Sequence, residues 1–477
     1  MPIKVLQNLR RYMQRPLVRP WALAGPVIVL MLCLPLLRPL RQPDTRQWSD
    51  REQLTTSTIQ ALVEQHSLAI DKTVFGDNPA AVRHEDGALY SPYSPMYPVL
   101  LAPIYWVLLK QGLDYSDNLI FVQYLMVLIG SAIPAAMSVG MVYRLARVFE
   151  LRRSMRVVVG LAAIMGGGLI SYAVVLSPHT LAAYLLLIAV TLISHLAVTA
   201  HPYREVGLAL VAGMMAAVAV AIDPPAATVA VLLCLVLLAM RWSRSFRVGA
   251  VILYVAGAVP VVAVQLLLMH AAGGAVVASP RVMQVFEPAS VTAVMNPTAR
   301  ELMSDAADDT DGAPTRIEVA WNYVAGGIGR ILEGLLGEHG LLSHFPVLII
   351  GVLGSMLVLH RNWTATTKML AVVPLGATLL LVIIYAWSEH GVARSYGAPW
   401  YVCVSPIVLL WGGAWIRRPH RPQSWVLAGA VLAFSVAVGV VGMSNPEPQG
   451  GYRGYTFAQA SMNLFADPAQ KSARDAK

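Results

Sequence analysis

Charge is scarce in this chain. Asp, Glu, Lys and Arg supply 13% of its 477 residues, about half the share a soluble domain carries, which excludes a water-facing surface over the whole molecule. Cysteine is scarcer still. Cys33, Cys234 and Cys403 each sit inside an apolar run, which argues against a disulfide framework or a zinc site and leaves them as small core residues. No G-x-S-x-G nucleophile elbow and no glycine-rich phosphate loop occurs in a strand-turn-helix setting, so soluble hydrolase readings fail. Met165-Gly166-Gly167-Gly168 falls inside an apolar run instead, where close helix packing explains it. Nor does the chain repeat itself at a period of about 20 to 50 residues.

What is present is apolar. Hydrophobic residues make up 57% of the chain and the mean hydropathy is +0.60, which predicts an all-α, polytopic integral membrane protein. A net charge of +9 could point to nucleic acid, but the basic residues gather in short loops between apolar runs. That is the positive-inside pattern of membrane proteins, and no nucleic-acid partner is expected.

Residues 1–20 carry Arg10, Arg11, Arg15 and Arg19 and read as a cytoplasmic N-terminus. The apolar run Trp21 to Leu40 contains no small-residue cleavage site and is read as a retained first span. Met96 to Gln111 is too short to cross about 30 Å of hydrocarbon at about 1.5 Å per residue, so it is expected to lie on the membrane surface or dip into it. Further spans are expected at Asn118–Val142, Val157–Leu176, Thr180–Thr199, Val206–Ile222, Ala226–Met240, Val248–His270, Leu341–Leu359, Met369–Trp387, Ala398–Ile416 and Trp425–Met443, about eleven with the first. Arg144, Arg147, Arg152, Arg153 and Arg156, then Arg241, Arg244 and Arg247, then Arg417, Arg418 and Arg421 mark alternate turns as cytoplasmic. The result is one membrane domain over 21–443, with outer loops at 41–117 and 271–340 and a polar outer tail at 444–477. In the second loop, Ile317, Trp321, Val324, Ile328, Ile331, Leu332 and Leu335 recur at helical spacing, which predicts an interfacial amphipathic helix.

The polar stretch from Trp48 to Pro98 organises the rest and reads as an active-site loop on the non-cytoplasmic face. Ser49 and Glu52 have capping-box spacing, and Leu54, Ile59, Leu62 and Val63 form a stripe, so a helix is expected to start at Asp50. The first-turn amides and the helix dipole favour an ionised Asp50, suited to ligating a metal or accepting a proton from an acceptor hydroxyl. The alternative is that it only stabilises the first turn. Asp71, Asp77, Glu85 and Asp86 share the loop with His66 and His84. Their oxygens suit a divalent cation such as Mg or Mn, but the spacing is irregular, no metal motif is present, and solvated loop charge is the favoured reading of each alone.

Several phrases carry a resemblance. They are Asp50 at the loop's start, Leu62-Val63-Glu64 with Ile70-Asp71, and Asp86-Gly87 with Tyr90-Ser91 ahead of a proline-rich descent through Pro92, Pro95 and Pro98. Later come GEHGLLSHFPVLIIG, with His339, Gly340, Ser343, His344 and Pro346, and SEHGVARSYGAPW, with Gly391, Ser395, Tyr396 and Gly397. From about Gln47 to Trp411 this order resembles the bacterial GT-C glycosyltransferases, membrane relatives of protein mannosyltransferases and of the transferases that add aminoarabinose to lipid A. The resemblance implies a bacterial inner-membrane enzyme that transfers a sugar, with inversion, from a polyprenyl-phosphate donor to an envelope lipid, glycan or protein acceptor on the outer face. It implies Asp50 as base or metal-linked carboxylate, with Asp86 and Glu85 as helpers. The chain departs from the pattern at one place: many relatives read Y-S-D-K-x-P-G, whereas this chain has Tyr90, Ser91, Pro92, Tyr93, Ser94 and Pro95.

A donor phosphate needs cations, and Arg394, beside Ser395, joins Arg51 and His390 as the candidates, with Tyr396 as a further phosphate contact; an ordinary lipid anchor is the alternative for Arg394. His179, and Asp223 ahead of two prolines, fall at outer turns. They either line the same cavity as Tyr90, Tyr93, His339 and His344 or simply end helices. Two rival classes stand beside the enzyme: a catalytically silent relative that binds lipid-linked sugar, and a lipid or solute transporter. Transporters keep ionisable residues within their spans despite a cost of about 2.5–3.5 kcal/mol each. Here the spans hold almost none at their centres, which favours chemistry at the membrane surface.

Overall fold

The computed structural model describes residues 20–84, 87–198, 205–240, 244–273, 327–387, 395–418, 420–448 and 456–465. In hydrocarbon every backbone N–H and C=O must find a partner within its own segment, so apolar runs become helices. In chain order these are α1 Pro20–Arg41, α2 Asp50–Gln60, α3 Met96–Lys110, α4 Tyr115–Phe149, α5 Arg153–Met165, α6 Pro178–Val198, α7 Gly207–Ile222, α8 Pro224–Ala239, α9 Arg244–Gly273, α10 Gly327–His344, α11 Leu348–His360, α12 Ala365–Trp387, α13 Ser405–Ile416, α14 Pro422–Gly442 and α15 Thr456–Phe465. A two-residue antiparallel ribbon, β1 Val82–Arg83 with β2 Leu89–Tyr90, is the one sheet among the described residues.

The protein is a multi-pass membrane protein. Among the described residues six helices are long and apolar enough to cross a bilayer, or seven if α10 and α11, bent by 92°, are one span. The rest of the eleven expected spans do not reach that length as single helices among the described residues. Helices α3, α7, α8 and α13 are apolar but have only 10–17 residues, and three expected spans are broken within their length. The run Val157–Leu176 stops at Met165 and resumes at Leu169; Leu341–Leu359 breaks at Phe345–Val347; Ala398–Ile416 divides into three short pieces.

The three breaks interlock. Gly168 has a left-handed φ of 80°, and a Cβ there would lie 2.7 Å from the Phe345 ring. Ser405 donates from Oγ to the Gly167 carbonyl at 2.8 Å. Irregular backbone at membrane depth is tolerated where protein covers it, and the Gly166–Gly168 break is covered by the other two. The Met165–Gly168 glycines therefore do serve close packing, but by ending a helix. On the other side of the bundle α7 and α9 touch backbone to backbone, since a Cβ on Gly213 would fall 1.9 Å from the Tyr254 carbonyl oxygen.

Helix α2 departs from the amphipathic expectation. Ser49 caps it as the spacing predicts, accepting from the Glu52 N–H at 3.2 Å, and the helix starts at Asp50. Yet every residue from Glu52 to Gln60 is buried, although a run of Thr-Thr-Ser-Thr has poor helix propensity. Thr56 and Thr58 turn their hydroxyls onto the carbonyls of Glu52 and Leu54, so their polar atoms are satisfied inside the protein. A polar helix held all round by its neighbours can present charged groups with little freedom. Of the expected second-loop helix, Ile317, Trp321 and Val324 lie outside the described residues; Ile328, Ile331, Leu332 and Leu335 lie on α10, with Ile328 and Leu332 exposed.

Candidate active site

Three segments far apart in sequence meet at the start of α2. Arg38, at the end of α1, donates through Nη1 to Glu52 Oε2 at 2.9 Å, with 2% and 0% of the two side chains exposed. Glu52 Oε1 accepts from the Gln123 amide and the Leu176 N–H, both at 3.3 Å. Burial pushes the Glu52 carboxyl above its ordinary range, and Arg38, Leu176 and Gln123 pull it part of the way back. Arg38 also donates to Asn445 Oδ1 at 2.6 Å and to the Glu447 carbonyl at 3.2 Å. Arg41 donates to the carbonyls of Met443 and Ser444. The segment after α14 is thus clasped by two arginines of α1.

That clasp brings Glu447 to the N-terminus of α2. Its Oε2 accepts from the Ser49 hydroxyl at 2.9 Å, and its Oε1 stands 4.0 Å from Arg51 Nη1. Arg51 keeps 30% exposure. Its guanidinium lies 5.0 Å from the centroid of the Tyr93 ring, and Nη1 is 3.3 Å from His179 Nε2. His179 Nδ1 is 2.8 Å from Asp223 Oδ2. An arginine only donates, so Nε2 accepts and the ring proton sits on Nδ1, where Asp223 receives it. Burial alone would lower the Arg51 guanidinium; the charges of Glu447, Tyr93 and Asp223 outweigh it and hold the group above its ordinary value. Among the described residues the bond to His179 is the one hydrogen bond of this guanidinium, which has five N–H groups to give.

Of the residues picked from the sequence, the structure gathers Arg51, Tyr93 and His179. Asp223, considered at a turn, is bonded to His179 and does more than end a helix. Asp50, at the first position of α2, is half-buried and accepts a long hydrogen bond from Asn78 Nδ2 at 3.5 Å. Tyr90 packs edge-on against His84, with ring centroids 5.0 Å apart. Tyr396 is buried with its hydroxyl committed to the Val438 carbonyl at 2.7 Å, which removes it from the phosphate contacts; its own carbonyl accepts from Tyr172, whose ring stands edge-on to His179. His344 belongs to a separate cluster, with Nε2 2.5 Å from Thr456 Oγ1 and Nδ1 3.0 Å from the Gly340 carbonyl. His339 is half-buried on α10. Glu85, Asp86, His390 and Arg394 lie outside the described residues.

Arg38 and Glu447 were not singled out from the sequence, and Glu52 was read only as a capping residue. One signal was available: Arg38 and Arg41 close the first span at the end that the charge pattern of the sequence assigns to the outer face, where positive charge is disfavoured. Two arginines there need a reason, and the clasp supplies it. Glu447 stands in a tail that reads as generic polar chain and gave no such signal. A divalent cation on Asp50 finds no support in the donor set, because no group of three or more His, Cys, Asp or Glu among the described residues could hold an ion.

Next to this cluster, α7, α8 and α9 surround an apolar cavity of about 440 Å³ lined by Gly213, Ala217, Val220, Ala230, Val262 and Leu266. Ser94 lies at its lining, donating to the Ala221 carbonyl at 2.6 Å and accepting from Gln265 at 3.1 Å. Ser94 follows Tyr93 in the chain and Pro224, also lining, follows Asp223, so cavity and ionic cluster adjoin.

The helical membrane bundle, with its interlocked breaks and its buried polar helix α2, shares its fold with solved structures of an archaeal oligosaccharyltransferase. Archaeal oligosaccharyltransferase AglB from Archaeoglobus fulgidus, in complex with an inhibitory peptide and a dolichol-phosphate, is similar with a TM-score of 0.51 and 12% identity, over 96% of this chain and 59% of that one. The Archaeoglobus fulgidus oligosaccharyltransferase tethered with an acceptor peptide containing the NVT sequon gives 0.53 and 12%, over 91% and 56%. Its complex with Zn and sulfate gives 0.51 and 12%, over 90% and 54%. The chain therefore spans less than two thirds of the structures it matches. No protein-family model and no curated protein matches the sequence.

Proposed function

We propose that the protein is a membrane glycosyltransferase that moves a sugar from a polyprenyl-phosphate donor to an envelope lipid, glycan or protein acceptor, on the outer face of a bacterial inner membrane. The observation that carries this reading is Arg51, a part-exposed guanidinium with donors to spare, fixed by Tyr93 and the His179–Asp223 pair in a chain of GT-C fold. Tyr93 stands where the resemblance expects lysine. The cation at that place comes instead from α2, laid over the tyrosine ring. The neighbouring apolar cavity has room for part of a hydrocarbon chain whose phosphate rests on Arg51.

In this reading the acceptor's nucleophilic atom attacks the anomeric carbon as its proton passes to Asp50. The bond from that carbon to the phosphate oxygen breaks with inversion, and polyprenyl phosphate leaves. Arg51 meets the negative charge that grows on the phosphate, where a fixed donor is worth most. Asp50 sits in the first turn of α2, beside the free amides of the helix end. Arg394 and His390 are further candidates for the phosphate, and Glu85 and Asp86 for assisting Asp50 or for a divalent cation.

The test is transfer from radiolabelled polyprenyl-phosphate sugars to envelope extract by the purified protein, with Asp50→Asn and with EDTA as arms. Asp50→Asn should lower the rate about 10²–10⁴-fold if it removes the general base, and the EDTA arm tests the cation. Equal rates for the variant and the wild type would remove Asp50 from the chemistry. Retained donor binding without transfer from any donor would favour the catalytically silent relative, which the loss of the acid and lysine at Pro92-Tyr93 suggests.

A further inference from the structure

The cation at the centre of the cluster does not stand alone. Glu447 Oε1 lies 4.0 Å from Arg51 Nη1, beyond hydrogen-bond distance, while Oε2 is held by Ser49 at 2.9 Å. The carboxylate is 6% exposed, fixed by the arginine clasp on its own backbone, and screened little by salt. It therefore takes none of the N–H groups that Arg51 leaves unused among the described residues, yet places a full negative charge beside any anion that does. With Asp223 counted and His179 neutral, Arg51, Glu447 and Asp223 sum to one negative charge.

We propose that Glu447 is a specificity-determining residue that makes Arg51 select singly charged phosphate over doubly charged phosphate. This rests on the reading of Arg51 as a phosphate contact. A sugar–phosphate–lipid is a phosphodiester with one negative charge. Transfer breaks the bond between the anomeric carbon and the phosphate oxygen and leaves a phosphate monoester, which carries close to two charges above its second pKa of about 6. Attraction to Arg51 and repulsion by Glu447 and Asp223 both scale with the ligand's charge, whereas the cost of taking that charge out of water grows with its square. By cancelling most of the field of Arg51, the two carboxylates leave the second charge with little to offset that cost. The geometry thus weakens the grip on the lipid phosphate as the reaction creates it.

The experiment measures equilibrium binding at pH 8 of geranylgeranyl phosphate, a monoester, and of its methyl diester, to the full chain in nanodiscs. The wild type should prefer the diester. Glu447→Gln keeps an oxygen for the Ser49 hydroxyl but removes the charge, and should tighten monoester binding about tenfold more than diester binding. Ser49→Ala breaks the hydrogen bond and keeps the charge, so it should leave the preference in place. An unchanged ratio in Glu447→Gln, or the same change of ratio in Ser49→Ala, overturns charge selection by Glu447. Arg51→Gln should weaken both probes; if it weakens neither, Arg51 is not the phosphate contact, and selection through it fails together with that part of the proposed function.

Discussion

Two arginine–carboxylate pairs meet at neighbouring residues of α2, Glu52 in one and Arg51 in the other, and could hardly differ more. Arg38 and Glu52 are fully buried at 2.9 Å, and each is bonded again, to Asn445 and the Glu447 carbonyl on one side and to Gln123 and Leu176 on the other. Arg51 and Glu447 are 4.0 Å apart, Arg51 is 30% exposed, and it gives one hydrogen bond among the described residues. The first pair has spent its valence on the protein and can only hold the fold. The second has kept capacity for a ligand. Satisfaction of donors separates architecture from chemistry here, where charge and position do not.

Single substitutions at the two pairs should part them. Glu52→Ala leaves the Arg38 guanidinium charged in a dry site and should cost about 3–5 kcal/mol, seen as a large fall in melting temperature in detergent; Arg38→Met with Glu52→Leu should recover much of it, since a buried pair is weak evidence for net stability. Arg51→Gln should cost about 1 kcal/mol or less, as part-exposed pairs do, while removing most sugar transfer. A melting temperature as low in Arg51→Gln as in Glu52→Ala would erase the distinction. The smallest effect concerns pH. Because burial raises Glu52, its protonated form favours the folded state. That contribution is fully present below the ordinary carboxylate range, about pH 4.3, and is lost as pH rises through the raised value. Glu52→Gln should flatten the stability–pH curve in that window.

What could be read in the sequence was what is local. The capping spacing of Ser49 and Glu52, the first span and the short helix after Pro95 all depend on near neighbours and appear as expected. The bundle's class followed from composition. The number of straight spans did not, because hydropathy averages over Gly166–Gly168 and does not see the positive φ that stops the helix. The site was legible in part for the same reason. Asp50, Arg51, Tyr93 and His179 were visible as polar residues at outer turns, but His179 and Asp223 are 44 positions apart and Arg51 and Glu447 are 396, so only packing pairs them.

The clasp on residues 443–447 has a consequence for the order of assembly. Arg38 and Arg41 leave the ribosome early, while the carbonyls they hold arrive about 400 residues later, which at about 5–20 residues per second is a wait of roughly 20–80 seconds. Until then two arginines at the end of α1 face a lipid interface without those partners, and Glu447 is not yet beside Arg51. The nascent protein can lay its helices into the bilayer one after another, but the cluster around Arg51 closes only once α14 has delivered the segment that follows it.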